Sequence, residues 1–508
     1  MMVTDYNCEY LGLSRLCLME SAGKSLAEEV GKIAVYSFSK PVKIVIFTGS
    51  GGNGGDGFVA ARYLLNRGYD VDIYMLKDNI HSDEAKANLE ILKNMRPRLS
   101  HLNIYNLKTL EDIDNTEIAQ SEKSEFVIVD GLLGTGIKGK LQNNIRRAIE
   151  VINESEGIKI SVDVPSGMDP LTGEVYDTAV VPDYTISFHK IKTGVRAAPE
   201  ELVGGLVTAD IGIPLEAEYF VNYGDFLKLK NRDLNSHKGN NGRLLIVGGS
   251  SDYSGAPAIA GMAAIAAGCD LVYVAAPQKA AEAIKSTSPD LIVKSLEGDR
   301  LSLSHLEDIL EISQYADAVL IGPGSGIDDE TAKLFNVLAA KIKKPLVLDA
   351  DALKQVDSSL IEKREDIILT PHIFEFKSFF NIDEDLKLDV DSYDFDKVSD
   401  NVGEFQRITR SIKGTVIIKG RHDLILSGSR FKFNNSGNPG MTVGGTGDAL
   451  AGISAALLSQ GLEAFDSACL AAFINGLSGD EAYKVKGNGF SATDLVSYIG
   501  SVIKNGLC

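Results

Sequence analysis

One stretch near the C-terminus restricts the folds open to this chain more than any other: Asn434-Asn-Ser-Gly-Asn-Pro-Gly-Met-Thr-Val-Gly-Gly-Thr-Gly-Asp448. An alternating run from Arg430 to Phe433 predicts a strand leading into it, and residues 449–458 are apolar on nearly every side, as a buried helix is. Gly461 supplies the stop. Strand, glycine loop and buried helix in that order make a unit of a layered α/β fold. Gly444, Gly445, Thr446 and Gly447 fall where the loop becomes the helix, so their N–H groups have no intrahelical acceptor and the helix dipole adds positive potential. Such a place favours an anion, and glycine lets a phosphate come close to the backbone. Asp448 then sets a carboxylate beside the anion hole, within reach of a substrate hydroxyl. A glycine turn capped by an aspartate is the plainer reading, but three glycines, a threonine and an aspartate ahead of a buried helix favour the phosphate.

The same grammar recurs along the chain. The run from Val42 to Phe47 ends in Thr48-Gly-Ser-Gly-Gly-Asn-Gly-Gly-Asp-Gly57, a helix is expected from Phe58 to Asn66, and a strand from Val71 to Leu76. This βαβ pattern predicts a parallel sheet. Gly49, Gly51 and Gly54 satisfy the dinucleotide-binding spacing, with Asp70 or Asp72 as a ribose partner, but that leaves Asn53 and Asp56 unexplained. Side-chain oxygens inside the loop suit a cation or hydroxyls better than bare pyrophosphate. Phe126-Val-Ile-Val-Asp130 and the run from Ile158 to Val162, followed by Asp163-Val-Pro-Ser-Gly167, are two more strands ending in acids. In an open parallel sheet such ends converge on one crevice. Further strands begin at Leu244, Leu271, Ala318, Pro345, Ile367 and Val416; those from Leu244 and Ala318 end in glycine, that from Pro345 in Asp349-Ala-Asp351, that from Ile367 runs into Thr370-Pro-His-Ile-Phe-Glu375, and the last reaches Lys419-Gly420. Between them, residues 219–231 show no apolar period and read as a linker, and the acidic tract 383–400 reads as a solvated face or loop.

At 508 residues the chain is long for one core, so two or three domains are expected. A net charge of -19 argues against a nucleic-acid or anionic-membrane partner, so phosphates must be bound locally by amides and a few lysines. Cys8, Cys17, Cys269, Cys469 and Cys508 form no CxxC and no metal spacing, which points to a reducing, cytoplasmic setting. No apolar run is long enough to span a bilayer and no signal-peptide pattern is present.

Taken together, the motifs resemble one family: the bifunctional NAD(P)H-hydrate repair enzymes, which join an NAD(P)H-hydrate epimerase to an ADP- or ATP-dependent NAD(P)H-hydrate dehydratase. The resemblance rests on Met19-Glu-x-Ala-Gly23, Asn53-Gly-Gly-Asp-Gly57, Asp130-x-Leu-Leu-Gly-Thr-Gly136, Val162-Asp-x-Pro-Ser-Gly167, Lys238-Gly239, Gly322-Pro-Gly324, Pro371-His-x-x-Glu375 and Asn438-Pro-Gly-Met…Gly-Gly-Thr-Gly-Asp448, in that order. It implies an α/β protein of two domains: a Rossmann-like three-layer αβα epimerase over residues 1–218 and a ribokinase-like dehydratase over residues 232–508, joined by the linker 219–231.

By position, the resemblance implies Asn53, Asp130 and Ser166 as potassium ligands, all offering oxygens. It implies Gly52, Asn53, Gly54, Gly55, Asp56, Gly134, Thr135, Gly136, Ile137, Lys138, Gly139 and Lys140 as binders of the hydrated nucleotide, with Asp163 catalytic. In the second half, Gly324, His372 and Glu375 are expected to bind the hydrate. Lys419, Gly420, Arg421, His422, Asp423, Asn438, Pro439, Gly440, Met441, Thr442, Val443, Gly444, Gly445, Thr446 and Gly447 are expected to bind ADP or ATP, accompanied by magnesium. Asp448 is the expected base. The family usually carries a second asparagine where this chain has Gly52, and Ser21 replaces a usual asparagine.

The expected chemistry is epimerisation at C6 of the hydrated ring, then activation of the S hydroxyl by phosphoryl transfer and its elimination, in a homo-oligomer acting on small molecules. The rival readings are a ribokinase-like small-molecule kinase, or a first domain that only binds nucleotide or protein.

Overall fold

The computed structural model describes residues 2–120, 126–134, 139–383 and 395–507, with side chains left out for 395–401. It divides into two compact units: Leu11–Pro214, and Met1–Tyr10 together with Leu215–Cys508.

The first unit is built on a sheet of seven strands: β1 (Lys43–Thr48), β2 (Val71–Met75), β3 (Leu102–Asn106), β4 (Phe126–Gly131), β5 (Ile158–Val162), β6 (Tyr184–Phe188) and β7 (Gly205–Ala209). Their order is β3-β2-β1-β4-β5-β6-β7, every pair parallel. Alternate residues serve opposite faces, so Val45, Phe47 and Ile128 meet Ile145, Ile149 and Ile152 of the helix Asn143–Glu154 on one side. The strand order reverses between β1 and β4, where an open sheet leaves its ligand crevice.

The Met19-Glu-x-Ala-Gly23 signature has a packing explanation. A β-carbon on Gly23 would lie 2.3 Å from Cβ of Val59, so only glycine lets the helix Arg15–Ser37 cross the helix Gly52–Asn66 this closely. Glu20 accepts from Arg62 at 2.5 Å and from the Tyr63 hydroxyl at 2.8 Å across the same crossing.

The second unit has nine strands: β8 (Arg243–Val247), β9 (Leu271–Pro277), β10 (Ile292–Leu296), β11 (Ala318–Ile321), β12 (Leu346–Leu348), β13 (Ile367–Leu369), β14 (Thr415–Ile418), β15 (Asp423–Ser427) and β16 (Arg430–Asn434). The order is β10-β9-β8-β11-β12-β13-β14-β15-β16, with only the β14–β15 and β15–β16 pairs antiparallel. Leu244 and Ile246 point into one apolar layer and Leu245 and Val247 into the other, so this sheet too is covered on both faces. The helix Thr446–Ser459 is buried from Ala449 to Ser459, as its apolar sequence requires.

The expected boundary is corrected. Residues 219–231 are not a free linker but part of the second unit: Val221 N–H donates to Phe433 O at 2.8 Å, the Tyr219 ring stacks on Phe431 at 5.0 Å, and Phe226 is 1% exposed. Nor do residues 1–10 belong with the first unit. Asn7 in the helix Met2–Tyr10 is fully buried, donating to Ala217 O at 2.9 Å and accepting from Gly224 N–H at 2.8 Å. Tyr10 stacks on Tyr223 with ring centroids 4.4 Å apart. The acidic tract 383–400 lies largely outside the described residues.

Candidate functional site

In the first unit the sheet order makes neighbours of the segments that follow β1, β4 and β5. The helix after β1 begins at Gly52, six residues before the expected start at Phe58, so Asn53 and Asp56 stand in its opening turns rather than in a loop. Asp130 is 1% exposed and its carboxylate accepts from Ser161 Oγ at 2.8 Å, Ser166 N–H at 2.9 Å, Ser166 Oγ at 2.5 Å and Leu132 N–H at 3.3 Å. Burial pushes this carboxyl up, against the lowering effect of those hydrogen bonds. Asn53 Nδ2 donates to Val162 O at 2.6 Å and Leu133 O at 3.2 Å, and Leu133 N–H donates to Ser166 Oγ at 2.9 Å.

The three expected potassium ligands therefore converge. A β-carbon on Gly134 would sit 2.7 Å from Asn53 Oδ1, so the glycine leaves the space before that oxygen open. An amide oxygen, a carboxylate, a hydroxyl and nearby carbonyls form an all-oxygen donor set that fits a hard cation. Among the described residues no group of three His, Cys, Asp or Glu side chains could hold a metal.

Asp163 follows β5 with φ +65°, a left-handed conformation that aspartate tolerates better than most residues. Its Oδ1 accepts from Phe188 N–H at 3.1 Å and from the ammonium of Lys192. Lys192, only 10% exposed, is a residue that sequence reasoning missed; it sits in the turn after β6 with no motif around it. Asp56 is buried as well, and burial first, then the charge of Asp163, raises its carboxyl well above the usual range, with Lys192 opposing. Gly52 faces open space, so the family's asparagine would meet no obstacle there. Gly139 and Lys140 are exposed, and Thr135, Gly136, Ile137 and Lys138 lie outside the described residues.

In the second unit β11, β12, β13 and β14 are consecutive neighbours, so Gly324, Asp349, Thr370, His372 and Lys419 all emerge along one sheet edge. His372 and Lys419 bridge directly, Lys419 N–H donating to Pro371 O at 2.8 Å. His372 caps the helix Ile373–Phe379: its Nδ1 accepts from Glu375 N–H at 3.1 Å, while Glu375 Oε2 accepts from His372 N–H at 3.0 Å. With Nδ1 an acceptor, a neutral ring carries its proton on Nε2, 3.3 Å from Glu375 Oε1. Burial lowers the His372 imidazole.

The opening stretch forms the wall of a cleft of about 790 Å³. Lys419, Gly420, Arg421, His422, Asp423, Asn438, Pro439, Met441, Thr442, Thr446 and Gly447 line it; Gly440, Val443, Gly444 and Gly445 are not among its lining residues. The side chain of Asn438 is spent on the loop itself, accepting from Gly440 N–H at 3.0 Å and donating to Asp480 at 2.9 Å. Gly445, at φ +97°, is the N-cap residue of the helix Thr446–Ser459. Asn475, also in the lining, was not anticipated: its Nδ2 donates to Thr446 O at 3.3 Å and its buried Oδ1 has no hydrogen-bond partner among the described residues.

Asp448 is the third residue of that helix, not its cap. It is partly buried, and its carboxyl is pushed up to about 7, by burial first and then by Asp349 and Asp351, with Lys419 pulling the other way. A carboxylate pushed toward neutrality at a helix start, where N–H groups without intrahelical acceptors favour an anion, is suited to proton transfer.

Two family models match the chain in tandem: YjeF-related protein N-terminus over residues 15–194 and NAD(P)H-hydrate dehydratase over residues 244–501. Together they define a two-part α/β enzyme. Among curated relatives, the bifunctional NAD(P)H-hydrate repair enzyme Nnr of Methanothermobacter thermautotrophicus is 47% identical, over 100% of this chain and 95% of its own. Relatives of the same name from Archaeoglobus fulgidus and Pyrobaculum aerophilum are 41% and 39% identical, each over 99% of this chain and 97% of theirs. The chain belongs to the family of bifunctional NAD(P)H-hydrate repair enzymes.

Proposed function

We propose that this chain repairs NADH and NADPH whose nicotinamide ring has taken up water. The first unit interconverts the R and S epimers of the hydrate, and the second dehydrates the S epimer at the expense of ADP or ATP. The observation that carries the reading is Asp448, a carboxylate pushed up to about 7, which directly follows Thr446 and Gly447, the two helix-start residues that line the cleft. In the second unit Asp448 takes the proton of the S hydroxyl while the N–H groups of residues 444–447 stabilise charge on the transferred phosphoryl group. Gly324, His372 and Glu375 hold the hydrate on the same sheet edge. Magnesium would accompany the nucleotide and neutralise its phosphates.

In the first unit Asp163, oriented by Phe188 N–H and paired with Lys192, moves the proton at C6. Gly52, Asn53, Gly54, Gly55 and Asp56 with residues 134–140 hold the substrate. Asn53, Asp130 and Ser166 would hold potassium, which when bound supplies fixed positive charge beside the substrate's oxygens. The free cysteines Cys8, Cys17, Cys269 and Cys469 fit a reducing cytoplasm, and light scattering tests the homo-oligomer we expect.

Incubating the protein with S-NADHX and ADP or ATP, and following NADH absorbance, tests the reading. NADH must form; nucleotide turnover without it would point to a small-molecule kinase instead. A second measurement separates the units. Asp130→Ala is expected to lose potassium dependence and most epimerase activity, so that a mixture of epimers yields NADH only from its S fraction at the normal rate. Loss of both activities in a folded protein would show that the two sites are not independent.

A further inference from the structure

The chemistry proposed for the second unit needs a cation near the phosphate loop, and the structure holds one in an unusual grip. Lys419 extends from the end of β14, its side chain 22% exposed, and a β-carbon on Gly447 would stand 3.5 Å from its Nζ. The missing side chain at Gly447 therefore leaves room beside the ammonium at the helix start. Nζ donates to Asp349 Oδ1 at 3.3 Å and lies 4.0 Å from Glu375 Oε2. Glu375 is shared: Lys354 stands 3.7 Å and His372 Nε2 3.3 Å from its other oxygen. Asp351 is likewise engaged, by Gly326 N–H at 2.9 Å and Lys354 at 3.5 Å. Asp349, 1% exposed, has a different set of partners: its Oδ1 also accepts from Thr370 Oγ1 at 2.6 Å.

The backbone around Asp349 is fixed from both sides. Its N–H donates to Ile321 O at 3.1 Å, and a β-carbon on Gly322 would come within 2.0 Å of its carbonyl oxygen. Ala350, the next residue, has φ +50°, a left-handed conformation that a residue with a β-carbon adopts only when its surroundings demand it. The first of these is the last rung of the β11–β12 pairing, so the sheet itself sets where Asp349 leaves it. From that backbone the carboxylate reaches the Lys419 ammonium.

We propose that Asp349 is a positioning residue of the second unit: it fixes the Lys419 ammonium between the phosphate loop and Asp448, and so sets the cation against which the Asp448 carboxylate works. This rests on the dehydratase reading of the cleft. The charged groups acting on Asp448 are Asp349, Asp351 and Lys419, and those acting on Lys419 are Asp349, Glu375 and Asp448. Burial works against the charge of Lys419, and Asp349 is the largest influence restoring it.

The test follows the Asp448 carboxyl in the full-length protein by carbon-13 NMR, its signal assigned by comparison with Asp448→Asn. Asp349→Asn removes a negative neighbour, which lowers the Asp448 midpoint, and releases Lys419 from its place, which raises it, so the midpoint is expected to fall by less than the same substitution causes in a Lys419→Met background, where only the first effect remains. Lys419→Met removes the opposing cation, so there the midpoint should rise. Asp349→Glu, which keeps the charge, should bring it back. The acid limb of kcat/KM for NADH formation from S-NADHX at saturating ADP should move with the midpoint, and the plateau rate of Asp349→Asn should fall about tenfold. An Asp349 that acts on Asp448 by its charge alone, without placing Lys419, would shift the midpoint equally with and without Lys419; equal shifts for Asp349→Asn in the unsubstituted and Lys419→Met proteins overturn the proposal. If Asp349→Asn does not fold, Lys419→Met decides alone, a midpoint that stays or falls being fatal. If the unsubstituted protein makes no NADH, the dehydratase reading fails and the NMR comparison still answers for Asp349.

Discussion

Asp448→Asn is expected to melt at or slightly above the temperature of the unsubstituted protein at pH 8, to bind ADP normally, and to form NADH from S-NADHX at least roughly a hundredfold more slowly. Because Asp448 is not the N-cap of its helix, its removal deprives no backbone N–H of a partner. Its electrostatic contribution has the opposite sign from that of an ordinary paired carboxylate. The folded-state value near 7 lies above the unfolded value of about 3.9, so this group's stabilising contribution is complete at low pH and is lost as pH rises through 7. Asparagine has no such loss, which is why stability at pH 8 should hold or improve. For the unsubstituted protein the same value predicts a dehydratase rate that declines as pH falls below about 7, where the base becomes protonated. Near-normal turnover in Asp448→Asn, or a rate flat across that range, would leave the carboxylate without a catalytic role.

The second large effect is expected at Gly445. With φ +97° the position suits glycine, and a β-carbon there would stand 2.8 Å from both Ala492 Cβ and Ile259 Cδ1. Valine adds branching to that crowding and must also adopt a left-handed backbone, at a cost of about 1–3 kcal/mol. The loop has to move, and with it the N–H groups at the helix start. Gly445→Val should therefore abolish ADP binding measured by calorimetry while the first unit goes on epimerising. Gly445→Ala, which meets the same neighbours with one carbon, should weaken binding less. Unchanged affinity in the valine variant would mean that the nucleotide's phosphates do not lie against this loop.

Much of this was written in short-range signals. Strands such as Lys43–Thr48 and Phe126–Gly131 are β-branched runs closed by glycine or acid, and buried parallel strands require that composition. Helix starts were harder, because the helix Gly52–Asn66 opens on glycines that a propensity reading assigns to a loop. What stayed hidden depends on partners far away in the chain. Tyr219, Phe220, Tyr223 and Phe226 show no period because they pack on Phe431, Phe433 and Phe473, more than 200 residues on. Lys192 gave no sign for the same reason, and Asp349 showed only as an acid ending a strand: each matters through one carboxylate or ammonium that only the sheet order brings near.

The helix Met2–Tyr10 gives the chain an unusual connectivity. Since it packs with residues 215–228, the polypeptide leaves the second unit after Tyr10 and re-enters it at Leu215, so the first unit is a guest spliced into a surface turn of a host. The host's two cut ends remain neighbours, Asn7 Nδ2 lying 2.9 Å from Ala217 O. A shortened gene that joins Tyr10 to Leu215 through a few glycines should therefore encode a self-sufficient dehydratase, whereas one that simply begins at residue 232 leaves Phe433 and Phe473 without the aromatic rings that cover them.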